Sequence, residues 1–507
     1  MSEVASNAWH DTGGGGRTWL LVLLLLAGSV LTVAATVLGN GNVLVAVAPI
    51  LLTAAGALVW VLPLRYPLFV LILLGLTIDS TGEGPWNSPL SDLGMLLHVN
   101  LAKSIPGGIP FPGTILALGV LLIVHLHRVL SGSMTDSSDS TPSAKVMVRA
   151  IGVSALAILG LVLLGFKNHG DMKMAKIQVQ TFMVLLLVGY LCASTFRGLR
   201  DYRILGAIVI VSACIKSAIA VYVVQTVFPR TEEFATAHGD SLLFAGAMVL
   251  LIVKLAEQPT RRNLLACVLL LPLIAAGMVA NDRRLVWVQV LLALAAFWAM
   301  SRRSRFKTFL IRCFLMALPL IGAYVAVGWN SQSEVFAPVR TLRSVGDSDV
   351  DASTMYRDLE NYNLLQTLRF NIVLGSGFGH PFAEEVKLPD ISFFEEYKFM
   401  PHNSVLGLWA FCGPFGFTGL TTALAVAMFL AARSYRMARL PDERVAAFMV
   451  IGTIIIYLIH CWGDIGFSER RSFLLVGPSL AIAGQLALST GGWRLRARHQ
   501  SPRTARR

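Results

Sequence analysis

Three short stretches of the chain carry side chains whose types and spacing suit chemistry on an anionic substrate. Residues 281–284 read Asn-Asp-Arg-Arg between two apolar runs. Arginine grips phosphate oxygens with a planar fork and keeps its charge, so Arg283 or Arg284 turned into a cavity would hold an anion. The alternative is that both snorkel to lipid headgroups. Residues 401–404 read Pro-His-Asn-Ser where a long apolar run begins. Proline fits a first helical turn and Asn403 or Ser404 can cap it. His402 then sits at the mouth of a helix whose N-terminus disfavours imidazolium. A neutral ring can accept a proton, which makes His402 a candidate general base, against the plainer reading of an interfacial histidine. The third stretch crowds His460, Asp464, Glu469, Arg470 and Arg471 around one turn. One or two of these are expected to complete a cavity, and as many again to be ion-paired.

These stretches must be positioned by the elements around them. The chain has 507 residues, of which 55% are hydrophobic and 14% charged, against about 25% charged in ordinary soluble domains. That excludes a single soluble domain, a disordered chain and a fibrous one, and predicts an all-α polytopic membrane protein. Apolar runs fall near 19–39, 43–62, 66–78, 112–127, 150–166, 177–196, 204–227, 241–256, 264–280, 285–300, 308–328, 403–432, 445–461 and 472–488. Twelve to fourteen transmembrane helices are expected, the 66–78 and 112–127 runs being short for a hydrocarbon core of about 30 Å.

The net charge of +13 comes mostly from arginines and lysines flanking apolar runs, as membrane topology requires, and not from a nucleic-acid-binding face. Their distribution places both termini in the cytoplasm and residues 329–401 outside. Arg302, Lys307 and the basic tail then act as topology anchors. Lys254 and Arg312 lie close enough to the inner face to snorkel, whereas Lys216 is central enough to call for pairing inside the bundle. The expected organisation is an N-terminal transmembrane bundle (1–260), further transmembrane helices (261–328), a large extracytoplasmic loop (329–401), C-terminal transmembrane helices (402–490) and a basic cytoplasmic tail (491–507). Residues 131–143 read as a flexible linker, and the N-terminal apolar run is too long for a cleavable signal. No internal or inverted repeat is evident. The six cysteines form no C-x-x-C pair, so neither a disulfide framework nor a zinc site is indicated.

A loop of the size of 329–401 is functional or disordered, and this one shows signs of order. Residues 353–370 predict an amphipathic helix with Arg357, Glu360 and Arg369 among its leucines, capped by Asp351 or Ser353. Gly375, Gly377 and Gly379 follow, spaced for close approach to backbone or ligand. The spacing is not a dinucleotide fingerprint.

Taken together, NDRRLVWV at 281–288, TMYRDLENYNLL at 354–365, VLGSGFG at 373–379 and PHNSVLGLWAFCGPFGFTGL at 401–420 resemble the O-antigen ligase and polymerase superfamily of bacterial integral-membrane glycan transferases. The resemblance covers roughly residues 262–480. It implies a glycosyltransferase C-like membrane fold and metal-independent, cofactor-free transfer of a glycan from undecaprenyl diphosphate, on the outer side of the bacterial inner membrane. The partners it implies are that lipid-linked donor, a glycan or lipid-linked acceptor and the bilayer. By the same resemblance His402 is the essential histidine, Arg357 the arginine of the loop helix, and Arg283 or Arg284 the first outer arginine, with Arg284 preferred as nearer the span. Arg369, Asn403, His460, Asp464, Arg470 and Arg471 are supporting candidates. The acidic pairs Glu384–Glu385 and Glu395–Glu396 depart from the commonest family pattern.

The residues suit this chemistry on their own terms. Arginines at the membrane surface offset charge on a departing diphosphate, and His402 takes the proton of an attacking hydroxyl. A glycosidase-like carboxylate pair drawn from the acidic loop segments is a weaker reading, because diphosphate needs no acid to leave. The competing classes are a polysaccharide or lipid transporter, which should carry its polar groups near mid-membrane, and a membrane scaffold or receptor.

Overall fold

The computed structural model describes residues 59–78, 112–131, 142–227, 235–302, 305–331, 352–370, 372–389 and 396–493, with isolated positions elsewhere. Contacts divide the chain into two compact units, residues 1–70 with 119–136, and residues 71–118 with 137–507. Among the described residues all regular structure is helical, and eight helices are long and apolar enough to cross a membrane. The chain is therefore all-α and polytopic.

In the first unit, Arg128 donates to the carbonyls of Trp60 (2.8 Å) and Leu62 (2.9 Å), and the Trp60 and His127 rings lie 4.8 Å apart. The guanidinium thus satisfies carbonyls that a helix end leaves without an internal partner.

Helices α1 (Arg65–Thr77) and α2 (Gly113–Leu130) contribute residues to both units. The second unit continues with α3 (Lys145–Lys167), α4 (Met172–Thr195), α5 (Leu199–Tyr222), α6 (Asp240–Glu257), α7 (Arg261–Ala280), α8 (Arg284–Met300), α9 (Arg305–Gly328), α10 (Ala352–Phe370), α11 (Ser404–Met437), α12 (Pro441–Gly463) and α13 (Ser472–Ser489). Of the fourteen apolar runs, those at 19–39 and 43–62 lie almost wholly outside the described residues, and the other twelve each coincide with a helix. Three of those twelve fall short as spans, α1 and α8 being brief and α6 carrying three charges, while α9 is apolar over Leu315–Gly328.

Local sequence explains where the helices begin. Asp171 caps α4 by accepting from the N–H groups of Lys173 (2.7 Å) and Met174 (3.1 Å), and Thr260 caps α7 through Asn263 (3.2 Å). Pro441 opens α12, where it gives up no helical hydrogen bond. The hub is α13, buried along nearly its whole length and packed by α4, α11 and α12. Outer helices turn large apolar residues outward, as Leu156 and Leu163 of α3 and Met316 and Leu320 of α9 do. Such faces suit lipid.

The 403–432 run forms a broken helix, not a continuous one. Within α11, Gly413 takes φ 58° and ψ 177° next to Pro414, which has no N–H to give. Beside the break, the Val373 carbonyl approaches Gly413 more closely than any Cβ would permit.

Lys216 pairs inside the bundle as expected, with Asp240 at 3.3 Å, both side chains being fully buried. The end of the bundle away from the 329–401 loop is closed by ion pairs of Arg203 with Asp442 and of Arg444 with Glu257 (2.6 Å).

Candidate functional site

At the loop end of the second unit, residues 372–389 fold back onto α3 and α4 by close backbone crossings. Gly375, Gly377 and Gly379 have φ of 69°, 82° and 95°. A Cβ on Gly377 would collide with the backbone of Gly165 in α3, and one on Gly375 with the Phe411 carbonyl in α11. The glycine cluster therefore serves backbone-to-backbone approach. Gln178 of α4 pins the loop at two places: its Oε1 accepts from Gly379 N–H (2.6 Å) and its Nε2 donates to the Phe399 carbonyl (2.8 Å). Within the loop, Asn363 exchanges two hydrogen bonds with the Val386 backbone (2.8 and 2.9 Å).

So anchored, α10 lies across the start of α11. Asn403 caps α11 by accepting from Leu406 N–H (3.1 Å) and donates to Asn361 Oδ1 of α10 (3.0 Å). Beside it, the Glu360 carboxylate accepts from the His402 backbone N–H (2.9 Å) and faces His402 Nδ1 at 3.2 Å. Glu360 is 1% exposed and His402 27%. A carboxylate at Nδ1 selects the tautomer with hydrogen there and leaves the Nε2 lone pair open. The Tyr356 ring meets the imidazole edge-on, 5.4 Å between centroids. Its hydroxyl is buried and bonds no described residue, and burial together with Glu360 pushes the phenol well above its ordinary value. Arg357, half-buried, stands one helical turn from Glu360 and makes no hydrogen bond or ion pair with a described residue.

A second cluster forms around the turn between α12 and α13. Asp464 bonds His238 Nδ1 at 2.9 Å, and the Arg283 guanidinium meets His238 Nε2. Burial opposes charge on Asp464, but the hydrogen bonds from His238 and from Ile465 N–H favour it, and the carboxyl is held well below the usual range. The two clusters are joined by Ser404, whose hydroxyl donates to the Asp464 carbonyl (3.3 Å) and faces Phe467 N–H (3.4 Å). Thr181 of α4 also donates to the Ser468 carbonyl (3.1 Å). Arg471, 2% exposed, bonds Asp240, which is shared with Lys216.

Ser404 thus ties the start of α11, with His402 and Asn403, to the backbone of Asp464, whose side chain leads through His238 to Arg283, and Arg357 stands beside Glu360 on α10. The remaining sequence candidates take other positions, His460 lying near enough to Asp464 to act on its charge. Arg284 is exposed on the first turn of α8. Arg369 lies at the far end of α10, on Gln366 at 3.0 Å. His460 is buried 3.4 Å from Gln289, and Arg470 is exposed and bonds the His98 carbonyl. Arg471 is committed to its buried ion pair. Glu384 is occupied by Lys398 (2.6 Å) and Leu388 N–H (2.9 Å), and the Lys398 bond holds its carboxyl below the usual range. Glu395, Asp351 and Arg303 fall outside the described residues. Sequence reading missed Glu360 as a site residue, along with Tyr356 and His238. Glu360 carried a faint signal, three residues from Arg357 on one helix face, whereas nothing in Ala237-His238-Gly239 distinguishes that histidine. Among the described residues no group of three His, Cys, Asp or Glu side chains could hold a metal ion.

Residues 265–421 match the O-Antigen ligase family. The match runs from α7 into α11, taking in Arg283, Arg284, the α10 loop and His402, and stops short of Asp464. An O-antigen ligase domain is therefore present over part of the chain. No curated protein matches the chain.

Proposed function

We propose that the chain is a membrane glycan transferase with a glycosyltransferase C-like fold. It moves a glycan from an undecaprenyl-diphosphate-linked donor to an acceptor hydroxyl, without metal and with inversion, at a loop end that faces the periplasm of a bacterial inner membrane. The observation that carries this reading is the buried Glu360 carboxylate on His402 Nδ1, in a domain of the matched family. His402 Nε2 takes the proton of the acceptor hydroxyl as its oxygen forms the new bond to the anomeric carbon. The bond from that carbon to the diphosphate oxygen breaks, and its electron pair leaves with the diphosphate. Glu360 orients the ring and offsets the imidazolium charge as it forms, a role carboxylates play beside catalytic histidines elsewhere. Arg283 and Arg357 hold the diphosphate and stabilise the departing charge. The Tyr356 hydroxyl, kept protonated, is a hydrogen-bond donor beside the base.

A cavity of about 190 Å³ between α5, α6, α12 and α13 is lined by Leu205, Ile210, Met449, Ile456 and Ile482 among others. It takes part of the polyprenyl tail and leaves the rest in lipid. The acceptor is a second lipid-linked glycan for a polymerase, or another surface molecule for a ligase. The candidate site's own polar groups, Glu360, His402, His238, Arg283 and Asp464, lie at the loop end of the bundle, which favours a transferase over a transporter with its site at mid-height.

The test is turnover of a lipid-linked glycan by purified protein in detergent with EDTA present. Consumption of donor, abolished in His402→Ala with folded protein, supports the reading. No consumption with any acceptor offered, or turnover that EDTA stops, overturns it.

A further inference from the structure

The mechanism leaves one histidine of the network unused. His238 sits just before α6, half-buried between Asp464 and Arg283. Its segment is fixed to the Asn-Asp-Arg-Arg turn independently of the ring. Thr236 bonds Asn281 Oδ1 through both its hydroxyl (3.0 Å) and its N–H (3.3 Å), and Asn281 is 1% exposed. In that turn Asp282 takes φ 45°, a left-handed conformation that aspartate adopts more readily than most residues with a Cβ. The turn is thus built to present Arg283 to His238.

A guanidinium has only N–H groups to offer, so it can bond Nε2 only if that atom carries a lone pair. A carboxylate at Nδ1 needs hydrogen on Nδ1. The neutral ring protonated at Nδ1 meets both demands at once. We propose that His238 is a positioning residue for the diphosphate site: the neutral ring, itself held by Asp464, holds Arg283 in its anion-binding pose, and a second proton on the ring releases Arg283 and weakens donor binding.

Protonated, the ring would turn an N–H and a positive charge toward Arg283. The charged groups around it come from every neighbouring element: Arg283 from α8, His460 and Asp464 from the end of α12, Glu469 against Gly239, and Asp240 with Arg471 and Lys216 behind it. The carboxyl of Asp464 is held well below the usual range, so Asp464 presents a carboxylate to the ring. This inference rests on the proposed diphosphate site and adds its regulation by protons.

The experiment measures binding of a polyprenyl-diphosphate-linked monosaccharide, whose diphosphate diester has no proton to exchange near neutrality. It uses full-length protein in detergent carrying His402→Gln, so that neither turnover nor the base contributes. Binding is compared between about pH 8 and about pH 5, the range in which imidazole changes charge. The expected result is affinity at least about 10-fold lower at the acid end. Adding His238→Gln, or His238→Asn if the first does not fold, should flatten the dependence to within about 2-fold. Arg283→Ala should bind weakly at both ends. Acid-sensitive binding that persists in both His238 variants, or binding that does not change with pH at all, overturns the role of His238 while leaving the diphosphate site standing. Arg283→Ala that binds as tightly as its parent overturns the diphosphate site itself.

Discussion

Glu360 binds both the backbone N–H and the ring of His402 from a position 1% exposed, so its effect on the reaction should be separable from its effect on folding. Glu360→Gln keeps the size and one acceptor but loses the charge that offsets imidazolium. Turnover should fall about 10-fold or more with donor affinity little changed, and His402→Gln should fall about 100-fold or more, within the span of general-base contributions. The double variant should be no slower than His402→Gln alone, because the two residues act as a unit. Additive losses in steady-state rates would place them in separate roles. Among the arginines, the contrast lies between neighbours. Arg283 is in the His238 network and Arg284 is exposed, so Arg283→Ala should cost most of the turnover and Arg284→Ala little. Arg283→Lys should recover part of the loss, since an ammonium lacks the fork. Equal tolerance at both positions, with protein shown to be folded, would remove the clamp.

At the scale of elements, the loop depends on places where backbones touch. Helix α3 supplies a matched pair for testing this. The position of a Cβ on Gly160 is open, whereas one on Gly165 runs into the Phe378 backbone. Both sit in the same helix, where alanine is favoured over glycine by about 1 kcal/mol. Gly160→Ala should be neutral or slightly stabilising. Gly165→Ala should lower Tm, expose the 372–389 segment to protease and reduce turnover. Similar behaviour of the two in limited proteolysis would mean that the loop docks by other means. Gln178→Ala removes the acceptor of a buried Gly379 N–H and should cost roughly 1–3 kcal/mol by the same readouts.

At the scale of the whole molecule, charge decides both orientation and integrity. A cysteine at Ser348, in the long loop, should react with an impermeant thiol reagent in cells with a permeable outer barrier, and one at Ser301 should not. The reverse pattern would turn the molecule over and put the site in the cytoplasm. Asp240 lies between two buried cations, Lys216 and Arg471. Asp240→Asn removes the anion they share and should destabilise the fold by about 3–5 kcal/mol, read as a fall in Tm.

Much of this protein is determined by sequence alone. Runs of apolar residues long enough for a bilayer specify helices, because backbone polar groups in lipid have to bond within their own segment. Twelve of the fourteen runs accordingly coincide with described helices. The loop helix was legible from its leucine spacing, a cap on α11 from Asn403 or Ser404, and the need of Lys216 for a partner from its depth in an apolar run. Each of these is a local property, set by neighbours three or four positions away or by the solvent around one segment. The choice of partners is not local. That Glu360 rather than Asp358 faces His402, that Asp240 serves Lys216 and Arg471, and that His238, already beside Arg283, meets Asp464 across 226 residues of chain were decided only by tertiary packing. A polar side chain in a single sequence shows its chemistry but not its direction. Direction comes from helices crossing where glycines let backbones meet, and the energy of each pairing exists only once both partners have been withdrawn together from water and lipid.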